Sequence, residues 1–397
     1  MILGGSALFV SGYALGRQGA SDPGTPGSEA AAFQPFWDTY HTIVDRYAGG
    51  PVDRTVLISG AIRGMISSLG DPFSSYLSQA DYQSSLLGVN GQFEGIGAQM
   101  ASRAADGSQG CTPLGPTCRL LVVKPIAGSP ASNAGIQAGD IITTIDGSPV
   151  TGLTVDAARD RIRGARGTVI TLGIERAKAA PFELTLTRDV VQQPELESET
   201  LAGGTVGYHH LVDFSDRSAD LLAAALQTDV AAGRTRIVLD LRGDLGGYVT
   251  AARKVASQFI GSGVIFWEED ASGTLVPTTA LADGTATDPK IKVVCLIDGG
   301  SASASEIVAG ALQDTRRAIL VGQQSYGKGT MQQWSELTDG GGAFKLTVAK
   351  WLTPDQRWIH KVGLTPDVVV PVSATAPIGT DPTLDRALQV LTGGATG

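Results

Sequence analysis

Histidine and cysteine are scarce in this chain, four and three among 397 residues. None of them falls into the paired spacing that a zinc site needs, so neither a metal nor any other cofactor is expected. Positive charge is also short. Lys and Arg total 30 against 39 Asp and Glu, a net charge of −9, and no basic patch or run of alternating basic and aromatic residues occurs. Nothing here could neutralise a phosphate backbone, which argues against nucleic acid as a partner. Long apolar runs are confined to the start, "MILGGSALFVSGYALGRQGA". That run lacks a preceding Lys or Arg, yet its small apolar residues and the polar stretch after it read as a signal sequence or short membrane anchor over residues 1–28. The alternative is an ordinary buried segment. Export from the cytoplasm, to the periplasm, cell envelope or medium, is the expectation.

Glycine is abundant, at 52 residues with 19 prolines, and 42% of the chain is hydrophobic. Such a chain builds turn-rich globular domains, and its length implies two or three. "FQPFWDTYHTIVDRY" and "DRTVLISGAIRGMISSL" carry apolar residues at helical spacing, giving a helical region over 29–90 with His41 on its first helix. Residues 91–190 change to short strands around one helix, "TVDAARDRIRG". Cys111 and Cys118 flank the loop "TPLGPT" and are candidates for a disulfide. Over 191–375, "RIVLDLRGD", "KVVCLID" and "AILVG" are buried strands separated by helical patterns, the rhythm of an α/β sheet covered by helices. Cys295 in the second of these reads as a small core residue. The tail, 376–397, contains the helical "DPTLDRALQVL", compatible with a monomer or a homo-oligomer. The whole is a multidomain α+β protein.

Two stretches carry chemistry. In "VVCLIDGGSASASEIVAGALQD" a strand turns through two glycines into a helix, with Ser303 at the helix start and Glu306 three residues on. This admits a capping box, or a nucleophile whose oxyanion is stabilised by the helix N-terminus. In "GQQSYGKGT", Lys328 stands between two glycines that let the backbone come close to its surroundings. Desolvated there, the amine would lose its proton readily and could activate a serine hydroxyl. Thr330 and Gln332 share its face if the chain is extended. A P-loop ATPase is the rival, but Gly329 stands where a magnesium-holding hydroxyl belongs and the following residues look like a strand. A Ser-His-Asp arrangement is the other rival. His209 and His210 are neighbours on a strand, so at most one could enter a site.

"FEGIGAQM" and "GSPASNAGIQAGDIITTIDGSPV" resemble a PDZ domain, which would place its carboxylate-binding loop at Gly95, Ile96, Gly97 and Ala98. The ordered set "LRGDLGG", "GGSASASEIVAGALQD", "GQQSYGKGTMQQ" and "LTVAKWLTPDQRWIHKVGLTPDVVV" resembles the carboxyl-terminal processing peptidases, over about Phe33 to Val372. The resemblance implies a serine endopeptidase acting on protein or peptide substrates with free apolar C-termini. It makes Ser303 the nucleophile, Lys328 the base and Gln332 its orienting residue, with oxyanion donors on Ala304 and on Gly246 or Gly247. A non-catalytic scaffold that binds C-termini is the remaining alternative. The family's frequent Asn-Pro in the "RGxxGG" turn is here Asp244-Leu245, which would add charge near the oxyanion. Asp314, sometimes counted with the family's catalytic residues, lies eleven residues after Ser303, roughly 16 Å along a helix. It is expected to support the helix end or a basic neighbour such as Arg316.

Overall fold

The protein is described by a computed structural model over residues 25–104, 111–371 and 380–393. The expected signal or anchor therefore lies almost entirely outside the described residues. Among them, no helix is long and apolar enough to cross a membrane. They form two compact units that divide between Tyr76 and Leu77.

The first unit has two helices, Ala30–Arg46 and Arg54–Ser67. Asp53 caps the second, its carboxylate accepting from Thr55 N at 2.8 Å and Val56 N at 3.3 Å, so two of the orphan N–H groups are satisfied. His41 sits on the first helix against the rings of Trp37 and Tyr40, as its helical placement suggested.

The second unit begins with the helix Gln79–Val89, which the sequence had assigned to the N-terminal region. It leads into the strand Gln92–Gly95, paired antiparallel with Asp189–Gln192. Between them lies the region that resembles a PDZ domain, an antiparallel sheet ordered Ala98–Ala104, Cys118–Pro125, Ile141–Ile145, Val169–Glu175 and Phe182–Thr187. Strand period sets its core: Cys118, Leu120 and Val122 alternate inward to meet Ile142, Ile170 and Leu172. The helix Val155–Ile162 adds Ala158 and Ile162. Cys111 and Cys118 are joined by a disulfide, with Cα atoms 5.8 Å apart.

The α/β core is a six-stranded sheet ordered Leu196–Leu201, Val206–Leu211, Arg236–Asp240, Lys292–Ile297, Ala318–Gly322 and Val368–Val369. Its first pair is antiparallel and the rest are parallel. Parallel strands need cover on both faces, and the alternation supplies it. Ile237, Leu239, Val293, Cys295 and Ile297 meet the helices Ser218–Ala231, Val249–Ser257 and Ala304–Asp314. Val238, Val294, Leu296 and Val321 meet the C-terminal helix Pro382–Thr392 through Ala387 and Leu391. Cys295 is fully buried, as expected, and burial pushes its thiol far above the usual range. A second antiparallel sheet joins Leu275–Thr279, Val264–Asp270, Ala343–Leu352 and Thr330–Glu336 in that order. It matters because Lys328 lies just before its Thr330–Glu336 strand.

Candidate active site

The carboxyl ends of adjacent parallel strands are where open α/β sheets build sites. Here Arg236–Asp240 runs into the turn Leu241–Gly247, and its neighbour Lys292–Ile297 runs into Asp298–Ser303. Ser301 Oγ donates to Leu241 O at 2.7 Å and Asp298 Oδ1 accepts from Gly243 N at 2.9 Å, so the two turns are fastened together.

Ser303 has φ +58° and ψ −114°, in the region that favours glycine. A simple N-cap sits in the β region, so this backbone is not an ordinary cap. Strain of this kind costs on the order of 1–3 kcal/mol and persists only where the surroundings impose it. Glu306 imposes it. Its Oε2 accepts from Ser303 N at 2.9 Å and from Lys328 N at 2.8 Å, and its Oε1 accepts from Ser325 Oγ at 2.6 Å and Gly327 N at 2.7 Å. The residue is wholly buried. The capping-box reading thus holds, but the carboxylate also ties Ser303 to a segment more than 20 residues away. The spacing Ser303-x-x-Glu306 was the one sequence signal for it.

Lys328 is held by its backbone on every side. Its N–H goes to Glu306, its carbonyl accepts from Trp351 Nε1 at 2.9 Å, and the Gly329 carbonyl accepts from Trp358 Nε1 at 2.8 Å. The flanking glycines are needed for close approach. A Cβ on Gly327, which has φ +89°, would lie 2.8 Å from Gly363 N, and one on Gly329 would lie 2.9 Å from His360 N. The amides that a P-loop would offer to phosphate are occupied by Glu306, and a strand follows rather than a helix.

Ser303, Lys328 and Gln332 line one cavity of about 720 Å³, together with Asp213, Leu245, Gly246, Gly247 and Tyr248. The Gln332 amide nitrogen donates to the hydroxyls of Thr330 at 3.0 Å and Thr347 at 3.2 Å. Asp213, which sequence reading passed over, is pushed up to about 6 by burial and then by the neighbouring Glu195 carboxylate.

The expected oxyanion donors divide. Gly246 packs on the nucleophile turn so closely that a Cβ there would come within 2.9 Å of both Ala304 N and Ser303 Cβ. Its N–H, however, donates to Asp244 Oδ1 at 2.8 Å. The N–H groups of Ala304 and Gly247 have no backbone acceptor among the described residues.

In the PDZ domain, Ile96, Gly97 and Ala98 line a groove with Met100, Val123, Ile126 and Ile162. Gly95 does not line it and is paired in the strand register with Asp189. Among the described residues the strand Ala98–Ala104 pairs only with Cys118–Pro125, and its other edge lies beside the helix Val155–Ile162. Phe93, Arg163 and Gln193 border this groove and also a second cavity, which shares Gly88, Asp213, Leu245 and Gly246 with the cavity of Ser303. The groove, the second cavity and the cavity of Ser303 thus adjoin in series and share walls.

Neither histidine of the 209–210 pair reaches that cavity. His209 is buried between Ser198 Oγ at 2.9 Å and Asp229 Oδ2 at 2.8 Å, and His210 Nε2 lies 3.2 Å from the carbonyl of Arg242. Asp314 pairs with Arg357 rather than with Arg316, and accepts from Asp355 N at 2.9 Å. No cluster of metal-binding side chains occurs among the described residues.

Comparison with known proteins shows a serine-type peptidase carrying a PDZ domain, with which the strained serine turn, the anchored lysine and the groove agree. The model for peptidase family S41 matches residues 205–370, a PDZ domain model matches 121–176, and the model for the N-terminal domain of the activating protease CtpB matches 16–81. Carboxy-terminal processing protease CtpA of Bacillus subtilis is 35% identical over 364 residues, covering 91% of this chain and 73% of its own. The carboxyl-terminal-processing protease of Synechocystis sp. is 35% identical over 358 residues, covering 88% and 80%. The solved photosystem II D1 C-terminal processing protease is 27% identical with a TM-score of 0.53, covering 91% of both chains. The chain belongs to the carboxy-terminal processing protease family.

Proposed function

We propose that the protein is an endopeptidase that selects polypeptides by their free C-termini and cleaves them with a Ser303–Lys328 dyad. The observation that carries this is the shared anchor: one buried carboxylate, Glu306, fixes the backbones of both residues at the wall of one cavity. Lys328, as the neutral amine, takes the proton of Ser303 Oγ as that oxygen attacks the scissile carbonyl. The N–H groups of Ala304 and Gly247 stabilise the tetrahedral oxyanion. Collapse expels the leaving amine with the proton from Lys328, and water, deprotonated by Lys328, hydrolyses the acyl-enzyme. Gln332, its nitrogen engaged by Thr330 and Thr347, turns its carbonyl oxygen to the amine.

A substrate tail adds a strand to the Ala98–Ala104 edge, its carboxylate at the amides of Ile96, Gly97 and Ala98 and its apolar side chains over Met100 and Ile162. Occupancy of this groove favours the active arrangement through the connected cavities. The Cys111–Cys118 disulfide supports a location outside the cytoplasm, whether the protein is released or held by residues 1–28.

The test uses an unfolded protein ending in apolar residues, with a free or an amidated C-terminus. Wild type should cleave the free form and act poorly on the amidated one, while Ser303→Ala and Lys328→Ala cleave neither. Equal cleavage of both forms would overturn tail recognition, and an active Ser303→Ala or Lys328→Ala would overturn the dyad.

A further inference from the structure

The Asp244 side chain is wholly buried at the turn that carries Gly246 and Gly247. Its Oδ1 accepts from Gly246 N at 2.8 Å, and its Oδ2 has no hydrogen-bond partner. Its backbone carbonyl accepts from Ala302 N at 3.0 Å and from Ser305 Oγ at 2.8 Å, so the residue binds the turn to the serine on both flanks of Ser303. Asp244 does not line the cavity of Ser303; Gly246 and Gly247 do. Whatever Asp244 does, it does through them.

An ionised carboxylate in this place is unfavourable. Each of its oxygens wants donors, and one has none. Among the charged groups around it, Asp213 adds charge of its own sign. Asp298 on the serine turn is engaged by Gly243 and Gly300. Arg242 on its own turn is committed to Asp240 and Asp381. Glu306 faces Ser303, Ser325, Gly327 and Lys328, and Lys328 lies at the cavity wall.

We propose that Asp244 is a positioning residue that works as a neutral carboxylic acid, holding the Gly246–Gly247 turn against Ser303, and that its ionisation turns the site off. A neutral acid accepts the Gly246 N–H through its carbonyl oxygen and adds no charge of its own beside Ser303. Once ionised, the same group grips Gly246 more strongly and sets a full negative charge beside the place where the oxyanion must form. Burial, acting with Asp213, holds the carboxyl of Asp244 well above the usual carboxylate range, which agrees with this. Activity then falls at high pH as Asp244 ionises.

This inference rests on the dyad reading, and the experiment separates the two. kcat/KM is measured from pH 5 to 10 for wild type, Asp244→Asn and Ser303→Ala. Asparagine keeps an oxygen for Gly246 N–H and cannot ionise. The ratio of kcat/KM at pH 9 to that at pH 7 should be about tenfold or more higher in Asp244→Asn than in wild type. A purely structural role would lower activity at every pH without changing that ratio. Ratios agreeing within twofold while Ser303→Ala is inactive would overturn the role of Asp244. Activity in Ser303→Ala would overturn the dyad itself. Should Asp244→Asn fail to fold, Asp244→Ser, whose hydroxyl can take the same N–H in a local turn, carries the same comparison.

Discussion

Replacing Glu306 with glutamine separates positioning of the dyad from folding. The carboxylate accepts four hydrogen bonds, two on each oxygen. The best arrangement for an amide keeps its oxygen at Ser303 N and Lys328 N and sets its nitrogen at the Ser325 hydroxyl, whose second lone pair can accept beside the one that already takes Leu364 N at 2.7 Å. Gly327 N–H then faces another donor. One bond is lost and the two that remain at the oxygen lose their charge assistance, about 1 kcal/mol for each weakened bond and about 1–3 kcal/mol for the orphaned donor. Relief of the carboxylate's own desolvation offsets part of this, leaving a net cost of about 2 kcal/mol. If that loosening acts mainly on the geometry of Ser303 and Lys328, kcat falls about 30-fold with KM little changed. Steady-state cleavage of a fluorogenic unfolded substrate, with thermal melting on the same preparations, reads both quantities. Glu306→Gln with kcat within threefold of wild type, or with a loss no larger than its unfolded fraction, would refute the reasoning.

Gly327→Ala places a Cβ 2.8 Å from Gly363 N at φ +89°; it should lower kcat at least tenfold, measured in the same assay. Asp314→Asn breaks the pair with Arg357 and should lower the melting temperature by several degrees, while kcat per folded molecule stays within a few-fold; complete inactivation of a folded protein would contradict its structural assignment. In the PDZ domain burial disfavours ionisation of Asp140, but the Arg176 guanidinium, with Nε and Nη2 each at 2.7 Å, outweighs it and holds the carboxyl below the usual range. Its folded value lies below its unfolded one, so this stability is present above the ordinary carboxylate range and lost as pH falls through it; Asp140→Asn should flatten that acid loss in pH-dependent melting.

The candidate sites that sequence exposed are those whose chemistry is local. A serine after a strand and two glycines, a lysine between glycines, and a PDZ-like loop each announce themselves within about ten residues. The buried strands were legible because parallel pairing needs apolar cover on both faces, as Val293–Ile297 shows. What stayed hidden depends on distant pairing. The sheet that carries Lys328 joins Trp267 to Leu352 and Thr330 to Lys350, a register set by tertiary packing and written in no local pattern. Glu306 looked like a cap because its reach to Ser325, Gly327 and Lys328 exists only once the strand Ala318–Gly322 lies beside Lys292–Ile297. The N–H directions of Gly95 and Gly246 follow from the strand pairing with Asp189 and from the carboxyl of Asp244, neither of which the local sequence shows. Asp314 found Arg357 instead of its near neighbour because Arg316, at φ +55°, leaves the helix at that point.

The central claim is that Ser303 is acylated with Lys328 as its base. Acid-quenching the enzyme during turnover of an activated peptide ester, followed by intact and peptide mass spectrometry, reads the intermediate directly. The account predicts one acyl group on the peptide containing Ser303 in wild type, none in Ser303→Ala, and at least a hundredfold slower appearance in Lys328→Ala. An acyl group on another residue, an adduct that survives in Ser303→Ala, or an undiminished acylation rate in Lys328→Ala would contradict it.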